Sequence, residues 1–242
     1  MPSDEELAAA ASANVATIAD VIAAMQAIQA AVPDEDGLGW FNRLYLLTTQ
    51  NIAAGLAGGR FADPAWTEKL DVVFARYYFR AISEYLAGSA LTPRAWTPLL
   101  AGRALRSVAP IQFAVAGMNA HIDRDLSFAL VDLANEDGAF PDRGTARHAD
   151  YETVNAILAA TERQAKEWFE GIFLRRAEFV AGRIEDVIAL WSVDQAREAA
   201  WMRGETQWSV RHLPAVAAAL DAAIDRAAWL ATRALLLPTR TA

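Results

Sequence analysis

Within residues 117–130, GMNAHIDRDLSFAL, an asparagine, a histidine and two aspartates interrupt a strongly apolar stretch. His121 and Asp125 are four residues apart. On a helix that is one turn, so the imidazole and the carboxylate can touch. Such a pair fixes the ring tautomer and could raise the imidazole pKa. Three uses follow: a general acid/base oriented by the aspartate, two ligands of a metal site, or a tie between helices. On the helical wheel His121 and Asp125 lie at the edge of the apolar arc, while Asp123 and Arg124 fall toward solvent. Gly117, one turn before His121, weakens the helix by about 1 kcal/mol against alanine. Close approach of another helix or of a ligand would compensate.

Other polar side chains sit in apolar surroundings. Asn42, Tyr45 and Thr49 occupy neighbouring turns among Trp40, Phe41, Leu44 and Leu46, where they would line a pocket or bond between helices. Asp71 and Arg80 flank VVFARYYF, in which Tyr77 and Tyr78 point about 100° apart, so that at most one faces a site. Asn155 lies mid-helix, where asparagine is mildly unfavourable, and so should make a specific contact. Asp150 reads as the N-cap of a helix starting near Tyr151. His148 would join His121 as a metal ligand only if its loop folds over that helix. The eight tryptophans read first as core, with one or two walling an aromatic pocket.

The elements that must position these groups are helices. Alanine-rich periodic segments run through the chain, and strand alternation and hairpin signals are missing. A first helix is expected over 4–31, opened by a Ser3/Glu6 capping box and peripheral to the rest. A second spans 38–57 and stops at Gly58-Gly59. Asp63-Pro64 opens a third, to Ala87, and Thr92-Pro93 a short fourth. Pro110 begins the helix of interest, which runs to about Asn135. A polar loop, NEDGAFPDRGTARH, precedes a long helix over 151–181. Breaks at Gly182 and Ser192 flank a short helix, and helices over 194–208 and 214–237 close the chain. The expectation is an all-α, single-domain bundle of about nine helices of unequal length, with no internal repeat.

Composition narrows the function. The chain has 242 residues, 54% of them apolar, enough for a sizeable core. Its net charge of −8 argues against nucleic acid and anionic lipid as partners. With no cysteine, disulfides, thiol nucleophiles and Cys-ligated metals are excluded. The acidic start MPSDEEL lacks the basic region of a secretory signal, and four charges interrupt the apolar run 213–237, so a soluble cytoplasmic protein is expected. Phosphate-binding and dinucleotide-binding glycine motifs, His-Glu-x-x-His, Gly-x-Ser-x-Gly and the Glu-x-x-His pairs of di-iron bundles are all missing.

GLGWFNRLYLLTT (37–49), GMNAHIDRDL (117–126) and HADYETVNAIL (148–158) together resemble a bacterial family catalogued as domain of unknown function 5995. The similarity runs from about residue 35 to the C-terminus. Asn119, Ala120, His121, Ile122, Asp125 and Leu126 fit the family pattern, whereas Asp123 stands where asparagine is usual. The resemblance implies an all-helical fold and brings no activity with it, so it sharpens the site and not the chemistry.

The leading expectation is an enzyme acting on a small, largely apolar organic molecule. His121 would be the general acid/base, Asp125 its orienting partner, and Asn119, Asn42, Tyr45, Asn155 and Tyr77 the ligand contacts. One alternative is a mononuclear divalent-metal enzyme using His121, Asp125 and a further ligand, His148, Asp71 or Asp150. Another is a non-catalytic small-molecule-binding or helical interaction protein. An exposed apolar helix face would also permit a homodimer.

Overall fold

The computed structural model describes residues 4–173 and 192–238, with the backbone alone for 162–173. All its regular elements are helical. In chain order they are α1 (Asp4–Ala11), α2 (Ile18–Ala30), α3 (Gly37–Ala57), α4 (Pro64–Leu86), a 3-10 turn (Arg94–Trp96), α5 (Thr97–Gly102), α6 (Pro110–Ala120), a π segment (His121–Leu126), α7 (Ser127–Asp137), α8 (Ala146–Phe173), α9 (Val193–Val210) and α10 (Pro214–Leu235). Because α6, the π segment and α7 form one rod, the described residues hold nine helices and no strand. Ser3, Gly182, Trp191 and the short helix expected after Gly182 lie outside the described residues, as does the side chain of Trp168.

Local chemistry sets most boundaries. Asp63 caps α4 by accepting from the Trp66 amide, with Pro64 at the first helical position. Pro110 and Pro214 likewise stand at the starts of α6 and α10, there without a side-chain cap. Gly58-Gly59 ends α3, and Gly138, at φ 77°, ends α7 in the left-handed conformation.

The expected helix over 4–31 is two helices. A capping box at Thr17 and Asp20 starts α2 afresh. The break is held open by α4: Arg76 donates to the Val15 carbonyl from Nε and Nη2, and the Ile18 amide donates to Glu68. Nor is this segment peripheral, since Leu7, Val15, Met25 and Ile28 are buried in the core. The long helix also begins earlier than expected, at Ala146.

At the centre, α3 and α6 cross in intimate contact. A Cβ on Gly117 would lie 2.3 Å from Phe41 Cγ, and one on Gly37 would lie 2.4 Å from Phe113 Cδ1. Each helix thus lays a phenylalanine on the other's glycine. This close approach answers the question raised by a glycine inside α6. Around the pair, α2 and α4 pack on one side, and α10 covers α6 on the other. Two further helices, α8 and α9, close over α3, α4, α7 and the π segment.

Candidate functional site

The π segment begins at His121 and carries Asp125 one turn on. Such a turn replaces the usual helical hydrogen bonds with wider i→i+5 bonds, is rare, and frequently falls at functional sites. Here it is pinned by side chains. His121 Nδ1 lies 3.0 Å from Asp125 Oδ2, which also accepts from Trp96 Nε1 at 2.8 Å. Asp125 Oδ1 accepts from Arg124 Nη1 at 2.5 Å. Arg124 Nε is in turn 3.2 Å from Asp225 of α10, whose carboxylate accepts the Arg94 and Ala95 amides of the 3-10 turn. Arg124 is therefore buried and paired, not solvated as its wheel position implied. The partner that draws it inward, Asp225, comes from a helix far along the chain.

Burial alone would push the Asp125 carboxyl up, but the hydrogen bonds and charges of His121 and Arg124 outweigh it and hold the group below its ordinary value. Burial pushes the His121 imidazole down, and Asp125 does not fully restore it. The expected upward shift is thus reversed by desolvation. An ionised Asp125 facing a neutral ring assigns the proton to Nδ1 and leaves a lone pair on Nε2. That Nε2 is buried and has no hydrogen-bond partner. Phe74 of α4 stacks flat on the ring, with centroids 3.5 Å apart and planes within 5°, and Tyr45 meets it edge-on at 4.6 Å.

His121 lines a cavity of about 50 Å³ bounded by α3, α4, α6, the π segment, α8 and α9. One water needs about 10–15 Å³, so the space suits a few waters or a small organic group. The wall is mostly apolar and, apart from Phe74, made of buried residues. Thr48, Thr67, Asp150, Tyr151 and Arg197 in the lining are hydrogen-bonded, but Tyr45 Oη, Trp66 Nε1, Asp71 Oδ2 and His121 Nε2 are buried and unpaired. Asp71 lies one turn before Phe74 on α4, and burial, helped by the charge of Glu68, raises its carboxyl to about 7. Tyr45 feels the charges of both Asp71 and Asp125, and burial pushes its hydroxyl well up.

The other expected contacts are placed elsewhere. Asn42 is buried between helices, donating to the Met25 carbonyl and accepting from Tyr78. Asn119 donates to Ala228 and Thr232 of α10. Asn155 accepts from Arg197 and does not itself line the cavity. Tyr77 donates to Asp132 at a surface cleft. Each amide does make the specific contact that its apolar setting demanded, but with protein. Asp150 does line the cavity but is not a helix cap: it sits inside α8, and its two oxygens accept the Ala62 and Asp63 amides ahead of α4.

The ligand set His121, Asp125 and His148 is not assembled either. Both Asp125 oxygens face donors, one of them a cation, and His148 packs against Trp201. Among the described residues, three metal-ligating side chains converge only at His148, Glu152 and Glu198, where Arg143 already pairs with Glu198.

Several groups were not singled out from the sequence: Trp96 and Asp225, which hold the charge network, and Trp66, Phe74, Tyr151 and Arg197, which line the cavity. Arg124 beside Asp125 offered a local hint. The others come together only through contacts distant in sequence.

A helical protein with an apolar cavity, one oriented histidine and one raised carboxyl is the class these features define. Residues 18–238 match the family described as Family of unknown function (DUF5995), and the chain belongs to that family. No curated protein and no solved structure gives a significant match. Among the described residues no helix is long and apolar enough to cross a membrane.

Proposed function

We propose that the protein is an enzyme that takes a small, largely apolar organic molecule into the cavity and moves a proton on it. His121 Nε2 is the base. Asp125 fixes the ring and stabilises the imidazolium that forms when the proton is taken. Asp71, neutral for a large fraction of the time near pH 7, is the matching acid. Two titratable groups pushed toward each other from opposite sides, imidazole down and carboxyl up, form an acid/base couple at neutral pH. Tyr45 Oη and Trp66 Nε1 hold polar atoms of the ligand. The observation that carries this reading is the convergence of four unpaired buried polar atoms on one apolar cavity. Buried polar groups are otherwise nearly always satisfied.

The test is to incubate purified protein with a metabolite extract and follow consumption by mass spectrometry. Wild type should convert a compound that His121→Gln and Asp71→Asn leave unchanged, with circular dichroism showing all three folded. A compound that is retained by wild type and never altered would make the protein a binder and overturn the enzyme reading.

A further inference from the structure

Arg197 of α9 lines the same cavity and is 5% exposed. Its guanidinium is held in a frame of neutral groups. Nε donates to Asn155 Oδ1 at 2.6 Å, Nη2 donates to the Tyr151 carbonyl at 2.8 Å, and the plane lies 4.0 Å over the Tyr151 ring. The Tyr151 hydroxyl locks the frame by donating to the Arg197 carbonyl at 2.6 Å. Among the described residues no carboxylate lies in ion-pair contact with this cation, although the charges of Asp194 and Glu152 reach it, and Nη1 makes no hydrogen bond to them. Arg124, the other arginine buried near the cavity, shows the contrast, since it is flanked by Asp125 and Asp225. Burial pushes the Arg197 guanidinium down and those more distant charges do not offset it, and a buried cation with no directly paired counter-charge is costly unless something supplies one. A guanidinium fixed by two hydrogen bonds and a stacked ring is organised in advance to receive an anion.

The acid/base couple is electrically separate from this cation. The charge acting on Asp71 is that of Glu68, and those acting on His121 are Asp125 and Arg124. Val154 and Leu158 of α8 add aliphatic wall, and the Asp150 carboxylate, which also belongs to the lining, is taken up by the Ala62 and Asp63 amides. A single arginine suits a single negative charge. A phosphate, doubly charged near neutral pH, would call for several donors and more than one cation.

We infer that the ligand is a small monocarboxylate with an apolar body, its carboxylate seated on Arg197 and its reacting part turned toward His121 and Asp71. This rests on the cavity being the site described above, but its test needs no turnover.

Binding is read by calorimetry and by the protein's tryptophan fluorescence, to which Trp66 in the cavity wall contributes. The probes are propanoate through octanoate, benzoate and phenylacetate, each beside its matching alcohol. Wild type should bind at least one carboxylate more tightly than the alcohol, and Arg197→Met should weaken it roughly tenfold to a hundredfold, the usual worth of a charge-assisted hydrogen bond, with the alcohol unaffected. A carboxylate that wild type binds and never alters would count against the enzyme reading alone. Equal binding of acid and alcohol, binding of no carboxylate in the panel, or full affinity in Arg197→Met would overturn the inference. If Arg197→Met fails to fold, the guanidinium resonances of wild-type Arg197 decide: they must move on adding the bound carboxylate and stay in place with its alcohol.

Discussion

Replacing Asp71 with asparagine should make the protein more stable at neutral and alkaline pH, and the size of the effect can be worked out. In the unfolded chain this carboxyl has its ordinary value of 3.8, while in the fold burial and Glu68 raise it to about 7. Between those values the folded state keeps a proton that the unfolded state has released. Stability therefore falls as pH rises through the window and levels off above about pH 7. Each pH unit is worth about 1.4 kcal/mol, so the raised carboxyl costs the fold at most ~4 kcal/mol at pH 8. Local opening and water entry should reduce the measured figure to about 2–3 kcal/mol.

The asparagine side chain of that variant would carry no charge at any pH. His121 acts in the opposite sense. Its folded value lies below the ordinary 6.5, so the unfolded state gains a proton first as pH falls, and stability drops on the acid side. That contribution is common to wild type and variant, and subtracting the two curves removes it. Urea unfolding followed by tryptophan fluorescence, at intervals from about pH 4 to pH 8, gives the difference directly. It should start near zero and grow in favour of Asp71→Asn by about 2–3 kcal/mol as pH rises. A difference that stays flat across the range would refute the claim that Asp71 is held as a neutral acid, and with it the proton assigned to this residue.

Three further outcomes follow from the same geometry. Asp125→Asn leaves Arg124 short of a buried counter-charge and should cost about 3–5 kcal/mol in urea unfolding; a loss under about 1 kcal/mol would mean that the network does not hold the π segment. His121 should titrate below its ordinary 6.5, with Nδ1 protonated in the neutral form; nitrogen NMR of the ring reads both, and an Nε2–H tautomer would contradict the assignment. Gly117→Ala drives a methyl into Phe41 and should destabilise by about 1–3 kcal/mol despite alanine's better helix propensity, with Phe41→Leu in the same chain recovering part of the loss; a stabilised single variant would show that α3 and α6 do not meet as closely as described.

What could be read from the sequence is what is decided locally. Asp63-Pro64, Pro110, Pro214 and Gly58-Gly59 mark helix ends because their side chains and φ preferences act within one turn. His121 and Asp125 could be paired because four residues on a helical turn bring them together whatever else folds around them. The break between α1 and α2 could not be read in this way. It depends on Arg76 and Glu68 meeting the chain at Val15 and Ile18, and an alanine-rich segment read alone favours one unbroken helix. Asp225 is invisible as the partner of Arg124 for the same reason.

The polar residues divide more instructively. A helical wheel shows which side chains turn inward but not whether they meet another helix or a cavity, so Asn42, Asn119 and Asn155 looked much like Tyr45 and Asp71. Their chemistry separates them. A carboxamide carries both donors and acceptors, and a packed bundle offers it helix carbonyls, hydroxyls and arginines at every crossing, so burying one mainly requires the right neighbour. Each of the three found one. Of the two carboxyls at the cavity wall, Asp150 finds the Ala62 and Asp63 amides, whereas Asp71 has an oxygen left unpaired and its pKa is raised instead. The imidazole of His121 has one nitrogen satisfied by Asp125 and the other exposed to the same apolar space. A folded chain tolerates such unpaired groups at a cost of about 1–3 kcal/mol each. Four of them belonging to one cavity therefore mark where this fold has given up stability, and a bound group offering matching donors and acceptors would restore it.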